Sequence, residues 1–233
     1  VGDVNSTVAC GMVAVKLGAR LIHIEAGLRS FDRSMPEEIN RLLTDAISDL
    51  LFCSEPSGAE NLRCEGVPEE KIFLVGNVMI DTLLKNKAKA AASTLLADLG
   101  LAEHGYAAMT LHRPSNVDDP AVLGRILDAV EVIQRDLPVV FPAHPRTRKA
   151  IAAAGLEGRV EALEDLRLIE PAGYLDFLKL TSSARLVLTD SGGVQEETTI
   201  LKVPCLTLRE NTERPVTAEM GSNRIVGTET DRI

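Results

Sequence analysis

The sequence runs to 233 residues, carries a formal net charge of −9, is 45% hydrophobic and 25% charged, and contains no tryptophan. A chain of this length can bury one large core or two small ones. Acids and bases interspersed at a net negative balance argue against a surface for nucleic acid or an anionic membrane, so any phosphate has to be held by local groups.

Cys10, Cys53, Cys64 and Cys205 are scattered with no CxxC pair. That spacing points to buried, reduced thiols in a cytoplasmic protein rather than to disulfides or a metal site. No apolar run is long enough to span a bilayer, and the opening residues do not read as a signal peptide.

Val1-Gly2-Asp3 reads as the end of a strand entering a turn. Asn5 or Ser6 is the expected cap of a helix reaching residue 17, which Gly18 ends, and residues 21–24 follow as a strand. A polar loop leads to Ser34-Met-Pro36-Glu37, which has the capping-box spacing with proline in the first turn and predicts a helix over residues 35–49. Residues 50–53 read as a strand, 56–65 as a helix and 71–75 as a strand. Gly76-Asn77 interrupts this rhythm, and an alanine- and lysine-rich helical stretch runs over residues 80–100. A second series begins there, with strands at residues 107–110, 139–142, 166–169, 186–189 and 204–208. Its helices fall at about residues 120–135, 146–154, 174–182 and 193–201.

Strand–helix alternation of this kind predicts α/β architecture with parallel sheets and helices on both faces. The expected division is residues 1–79 as the back part of a first doubly wound domain, 80–100 as a connector helix region, and 101–233 as a second doubly wound domain. With Val at position 1 and no evident closing helix before Ile233, the sequence reads as a piece of a longer protein.

Ligands of open parallel sheets bind outside the carboxyl ends of the strands. The polar residues at those ends are Asp3, Glu25, His112-Arg113, His144 and Asp190-Ser191-Gly192-Gly193, with Glu37 in the first turn of the next helix and Arg214 after the last strand. Val187 to Glu197 has the form of a strand entering a helix through bare backbone, whose free N–H groups and dipole suit a phosphate. Taken singly, each has an ordinary role: Asp3 as a turn residue, Glu37 as the capping-box acid, the glycines as close-packing residues. Acids gathered at one edge repel one another, which raises at least one pKa and equips the group for proton transfer.

Several of these segments together carry a resemblance. Gly2-Asp3, His23-Ile-Glu25-Ala-Gly-Leu-Arg29, Pro36-Glu37-Glu38-Ile-Asn40-Arg41 and Gly76-Asn77-Val-Met-Ile-Asp81 resemble the non-hydrolysing UDP-N-acetylglucosamine 2-epimerases. So do His112-Arg113-Pro-Ser-Asn-Val-Asp118, Thr189-Asp190-Ser191-Gly-Gly-Val-Gln-Glu-Glu197 and Thr212-Glu213-Arg214-Pro215, in the family's order over the whole chain.

The resemblance implies two Rossmann-like, GT-B-like domains with the substrate between them, the first domain incomplete and the second, UDP-binding one lacking its final helix. It implies reversible inversion at C2 of UDP-N-acetylglucosamine through elimination of UDP, a 2-acetamidoglucal intermediate and re-addition, with no metal and no cofactor. By motif, Asp3, Glu25 and Glu37 match the catalytic carboxylates, and His112 the histidine beside the diphosphate. Ser191, Gly192 and Gly193 match the pyrophosphate turn, Glu197 the ribose-binding acid, Arg214 the nucleotide arginine, and Phe177 and the Ala172 backbone the uracil contacts. Arg113 and His144 match positions linked to a second, allosteric UDP-sugar. A UDP-sugar substrate, a homodimer and a cytoplasmic location are further implications. The alternatives are a UDP-sugar glycosyltransferase of the same fold, a hydrolysing epimerase, and a non-catalytic UDP-sugar sensor, against which the gathered acids argue.

Overall fold

The computed structural model describes residues 2–233; the strand end read at Val1 lies outside them. The chain divides into two compact units, one of residues 2–78 with Glu213–Val216, the other of Met79–Thr212 with Thr217–Ile233.

Unit 1 contains α1 (Asn5–Lys16), β1 (Ile22–Ile24), α2 (Pro36–Ile47), β2 (Leu50–Cys53), α3 (Pro56–Cys64) and β3 (Ile72–Leu74). The strands form a parallel sheet in the order β1-β2-β3. Its apolar core is Ala26, Leu51, Cys53, Ala59, Leu62 and Ile72. Gly18, at φ +75, follows α1 as expected. Neither predicted cap forms. Val4 precedes α1, while the Asn5 side chain, inside the helix, accepts from Asn40 Nδ2 at 3.0 Å. Met35 precedes α2, and Ser34 Oγ donates instead to Asp32 Oδ1 at 2.6 Å. Glu38 reaches back, accepting from Ser30 N, Ser30 Oγ and Phe31 N at 2.9, 3.0 and 3.1 Å, and its carboxylate also meets Arg41.

Unit 2 follows from α4 (Val78–Ala90) and α5 (Leu95–Asp98) through β4 (Ala107–Thr110), α6 (Pro114–Val117), α7 (Pro120–Ile133), β5 (Val139–Pro142), α8 (Pro145–Ala153), α9 (Glu157–Glu161) and β6 (Leu166–Ile169). It continues with α10 (Tyr174–Ser182), β7 (Leu186–Thr189), α11 (Gly192–Leu201), β8 (Cys205–Thr207), the part from Thr217 onward of α12 (Pro215–Glu219), and β9 (Asn223–Ile225). The helical stretch expected as a connector is broken between α4 and α5, and it packs within this unit, with Leu83 and Ala90 against Leu178. The terminal strand β9, which the sequence reading did not anticipate, pairs with β8.

All six strands are parallel, in the order β6-β5-β4-β7-β8-β9. Alternate strand residues divide between two cores: Ala107, Met109, Val139 and Phe141 pack with α7 on one face. Ala108, Val140 and Val187 pack with Leu180 and Val194 on the other. A sheet covered on both faces explains why its strands are unbroken apolar runs. The order reverses between β4 and β7, so the segments leaving those strands emerge side by side.

The four cysteines are free. Cys53 and Cys205 are buried, and burial pushes each thiol up to about 11. Cys10 and Cys64 are exposed, contrary to the expectation that all four are buried. Among the described residues, no helix is long and apolar enough to cross a membrane.

Candidate functional site

In unit 2 the site is organised by Asp190, which is fully buried at the end of β7. Its Oδ2 accepts from the backbone N–H of His112 at 3.0 Å, of Arg113 at 2.9 Å and from Asn116 Nδ2 at 3.2 Å. His112 Nδ1 lies 2.9 Å from Asp190 Oδ1, and its ring is half exposed. A carboxylate that accepts at Nδ1 fixes the imidazole orientation and leaves Nε2 facing outward. Asn116 Nδ2 also donates to Leu208 O at 2.8 Å, so one side chain fastens the loop after β4 to the ends of β7 and β8.

Ser191 caps α11, its Oγ accepting from Val194 N at 3.5 Å. Gly192 and Gly193 open the helix, and a Cβ built on Gly193 would meet nothing nearer than Ser191 Oγ at 3.9 Å. The bare backbone therefore faces open space, where a side chain would occupy the approach to the first-turn N–H groups. Glu197, one turn on, is buried, and burial raises its pKa. Adjacent Glu196 is buried as well, although helical spacing turns it about 100° away.

His112, His144, Ala172 and Phe177 come together around one cavity of about 420 Å³, joined by Arg146. Gly173 N-caps α10, and its carbonyl accepts from Phe177 N at 2.8 Å. His144 caps α8, with Nδ1 accepting from Arg146 N at 3.3 Å. Arg113 precedes α6 and does not line this cavity. Neither do Ser191, Gly192, Gly193 and Glu197.

In unit 1, β1 is followed by Glu25, which adopts φ +75. This left-handed conformation costs a non-glycine residue roughly 1–3 kcal/mol and turns the carboxylate out of the strand direction. Both Glu25 N and Ala26 N donate to Phe52 O, at 2.9 and 3.0 Å, which holds the turn against β2.

Glu25 and Asp3 share a small cavity of about 30 Å³ with His23, Arg41, Glu213 and Arg214. Arg41 donates from Nη1 to Asp3 Oδ2 at 2.7 Å and from Nη2 to Glu38 Oε2 at 2.8 Å. Burial raises the pKa of Asp3, Arg41 opposes it, and the negative charges of Glu25 and Glu37 add to the rise. Glu37 is thus felt by Asp3 but does not line the cavity. Burial also pushes Glu38 up, but hydrogen bonds from Ser30 and Arg41 prevail and hold it below the ordinary value.

Arg214, matched by motif to the nucleotide, belongs to unit 1, where it ion-pairs with Glu25. The same unit buries His23, whose Nδ1 lies 2.5 Å from Asp45 Oδ1. Gly27 N at 3.1 Å and Arg29 Nη1 at 2.8 Å meet Asp45 Oδ2, and Arg29 forks onto Glu65 at 2.7 Å.

Sequence reasoning assigned no role to Arg41, His23, Asp45 or Asp190. The available signal was the spacing of Glu38, Arg41 and Asp45, which puts all three charges on one face of α2. Each is buried. Among the described residues, no three His, Cys, Asp or Glu side chains are placed to share a metal ion.

The family model described as UDP-N-acetylglucosamine 2-epimerase matches residues 1–233. The chain is 46% identical to the UDP-N-acetylglucosamine 2-epimerase of Methanocaldococcus jannaschii, covering 100% of this chain and 65% of that protein. The structure of that relative in complex with UDP-GlcNAc and UDP superposes with a TM-score of 0.93 over 99% of this chain and 65% of the other. The UDP-2,3-diacetamido-2,3-dideoxy-D-glucuronate 2-epimerase of Pseudomonas aeruginosa is 44% identical, with 100% of this chain and 64% of that protein covered. The chain thus spans about 65% of the length of the curated relatives it matches first. Matched along its whole length by that family model, the chain belongs to the UDP-N-acetylglucosamine 2-epimerase family.

Proposed function

We propose that the full-length protein interconverts a UDP-2-acetamido sugar and its C2 epimer, UDP-N-acetylglucosamine and UDP-N-acetylmannosamine in the leading reading, by elimination and re-addition of UDP. Asp3 and Glu25 in one cavity with Arg41 and Arg214 carry this reading, because binding an anionic ligand gives no reason to gather acids. A carboxylate takes the C2 proton, the C2–H electron pair becomes the C1–C2 double bond, and the C1–O bond breaks toward UDP. Protonation at C2 from the other face and return of UDP complete the inversion. Asp3, Glu25 and Glu37 are the proposed proton-transferring acids.

The leaving diphosphate needs electrostatic support. The first-turn N–H groups at Ser191, Gly192 and Gly193 and the oriented His112 would supply it. Glu197 would accept both ribose hydroxyls, Phe177 and Ala172 would border the base, and Arg214 would contribute its cation to the nucleotide. Arg113 and His144 are proposed to serve a second UDP-sugar. The resemblance adds a homodimer working in the cytoplasm.

The similarity to the Pseudomonas relative, at 44%, favours a second substrate reading, a UDP-diacetamido uronic acid. Assay of both sugars under one set of conditions separates the two. The first test is exchange of the C2 hydrogen of UDP-N-acetylglucosamine with deuterium from solvent, without any acceptor. Asp3→Asn and Glu25→Gln should each slow it by about 100-fold or more. Undiminished exchange in both variants overturns the carboxylate assignment, and a strict requirement for an acceptor points to a glycosyltransferase.

A further inference from the structure

His23 is a buried titratable group that the mechanism above leaves without a task. Asp45 is already engaged at Oδ2 by Gly27 N–H and Arg29, and its Oδ1 lies 2.5 Å from His23 Nδ1. The proton of the neutral imidazole therefore sits on Nδ1, and Nε2 presents a bare lone pair. Nε2 has no hydrogen-bond partner among the described residues, and the ring lines the small cavity that holds Asp3 and Glu25. The charged groups around the ring are Asp45 on one side and Asp3, Glu25, Arg41, Glu213 and Arg214 about the cavity. At about 30 Å³ the cavity has room for a single water, enough to pass a proton between groups not in direct contact.

Inversion at one carbon with acids on opposite faces has a consequence for protons. Each turnover takes the C2 proton onto one carboxylate and delivers a proton from another. Both groups end in the wrong state for the next forward turnover. A reset has to move one proton off the first carboxyl and put one on the second.

Building on the proposed function, we propose that His23, oriented by Asp45, is the proton carrier that resets the carboxylates between turnovers. Nε2 takes the proton from the carboxyl that accepted it, giving an imidazolium whose Nδ1–H stays on Asp45. It then gives a proton to the carboxylate that donated. One proton leaves one oxygen and one arrives at another, and no co-reactant is consumed.

His23→Asn in the full-length protein tests this, because the amide nitrogen occupies the Nδ1 position and still donates to Asp45 while nothing replaces Nε2. With enzyme in excess, where each molecule turns over once and needs no reset, the variant should convert UDP-N-acetylglucosamine at nearly the wild-type rate. With substrate in excess its kcat should fall about 10- to 100-fold, with KM falling in step so that kcat/KM stays near the wild-type value. Equal losses in both regimes mark His23 as purely structural and overturn the proposal, as does an unchanged kcat. Because the variant could fold poorly, ¹⁵N spectra of the wild-type imidazole provide a second reading: a proton on Nε2 rather than Nδ1 also overturns it. Wild-type conversion is measured in the same runs. Its absence removes the epimerase reading and this inference together, whereas conversion with an unaffected variant removes this inference alone.

Discussion

Arg41 is the residue on which the acids of unit 1 depend. It is buried, it forks between Asp3 and Glu38, and it opposes the rise that burial imposes on Asp3. A carboxyl whose folded pKa lies above its ordinary 3.8 holds its proton more tightly when native. Its contribution therefore favours the fold at low pH, and stability falls as pH rises through the window from 3.8 to the raised value. Glu38, held below its ordinary value, has the opposite sign: its contribution is present above 4.5 and is lost as pH falls through the lowered value. Arg41→Met removes the lowering influence on Asp3, so the limb of the pH–rate profile that Asp3 governs should move to higher pH. That is the acidic limb if Asp3 is the base and the alkaline limb if it is the acid. The variant should also lose about 3 kcal/mol in urea unfolding, because Glu38 stays buried without its guanidinium. An unmoved profile would show that Asp3 does not govern the rate. Glu25 and His112 were legible as candidates because they lie just past β1 and β4, at the strand ends where α/β proteins keep their chemistry. Arg41 and Asp45 were not, since polar residues at helical spacing read as a solvated face until burial is known.

At the scale of elements, the regular ones were readable and the junctions were not. Strand runs such as Val139–Pro142 and the helix Tyr174–Ser182 match the expected bounds, because apolar period and proline or glycine punctuation fixed them. The predicted caps at Asn5 and Ser34 failed because other partners claimed those side chains, the distant Asn40 for Asn5 and the neighbouring Asp32 for Ser34. The close approach of α3 to the loop after β1 was equally invisible. Gly27, at φ +80, has no room for a side chain: a Cβ there would come within 2.1 Å of Gly58 O. A Cβ on Gly58 would come within 2.8 Å of Ala26 O. Both obstacles are backbone, so neither can yield without moving α3. Gly27→Ala should therefore cost about 3 kcal/mol or more, read as a lowered urea midpoint. Gly18 provides the control, since it has φ +75 with nothing within 4 Å of a built Cβ. Gly18→Ala should lose only the left-handed penalty, about 1–2 kcal/mol. Equal losses at the two positions would mean that backbone conformation, not the close approach, sets the requirement.

At the scale of the molecule, the two units differ in how much they bury. Unit 2 has a six-stranded sheet with a core on each face, and β4 lies inside it, bonded on one side to β5 and on the other to β7. Unit 1 has a three-stranded sheet and one small core, and it leaves Val13 59%, Leu17 81%, Ile22 47% and Leu74 58% exposed. Local opening free energy rises with buried apolar contact and with ladder bonds shielded from water. Native-state hydrogen exchange should therefore grade each sheet from its centre outward. In unit 2 the amides of β4 and β7 should exchange slowest, and those of β6 and β9, at the edges, fastest. In unit 1, β2 should be the slowest, yet its slowest amides should still open more readily than those of β4, because β2 belongs to one small cluster where two larger clusters flank β4. The proposed site residues can be placed on the same scale. Asp190 and His112 lie just past β7 and β4, and the proposed diphosphate grip would gain from rigidity there because its N–H groups must be in place before charge develops on the leaving oxygen. The acids of the proposed proton chemistry, Asp3 and Glu25, are held by the ion pairs of Arg41 and Arg214. Protection of β2 equal to that of β4 would contradict this ordering and would mean that the charged network of α2 stabilises unit 1 as strongly as the apolar cores stabilise unit 2.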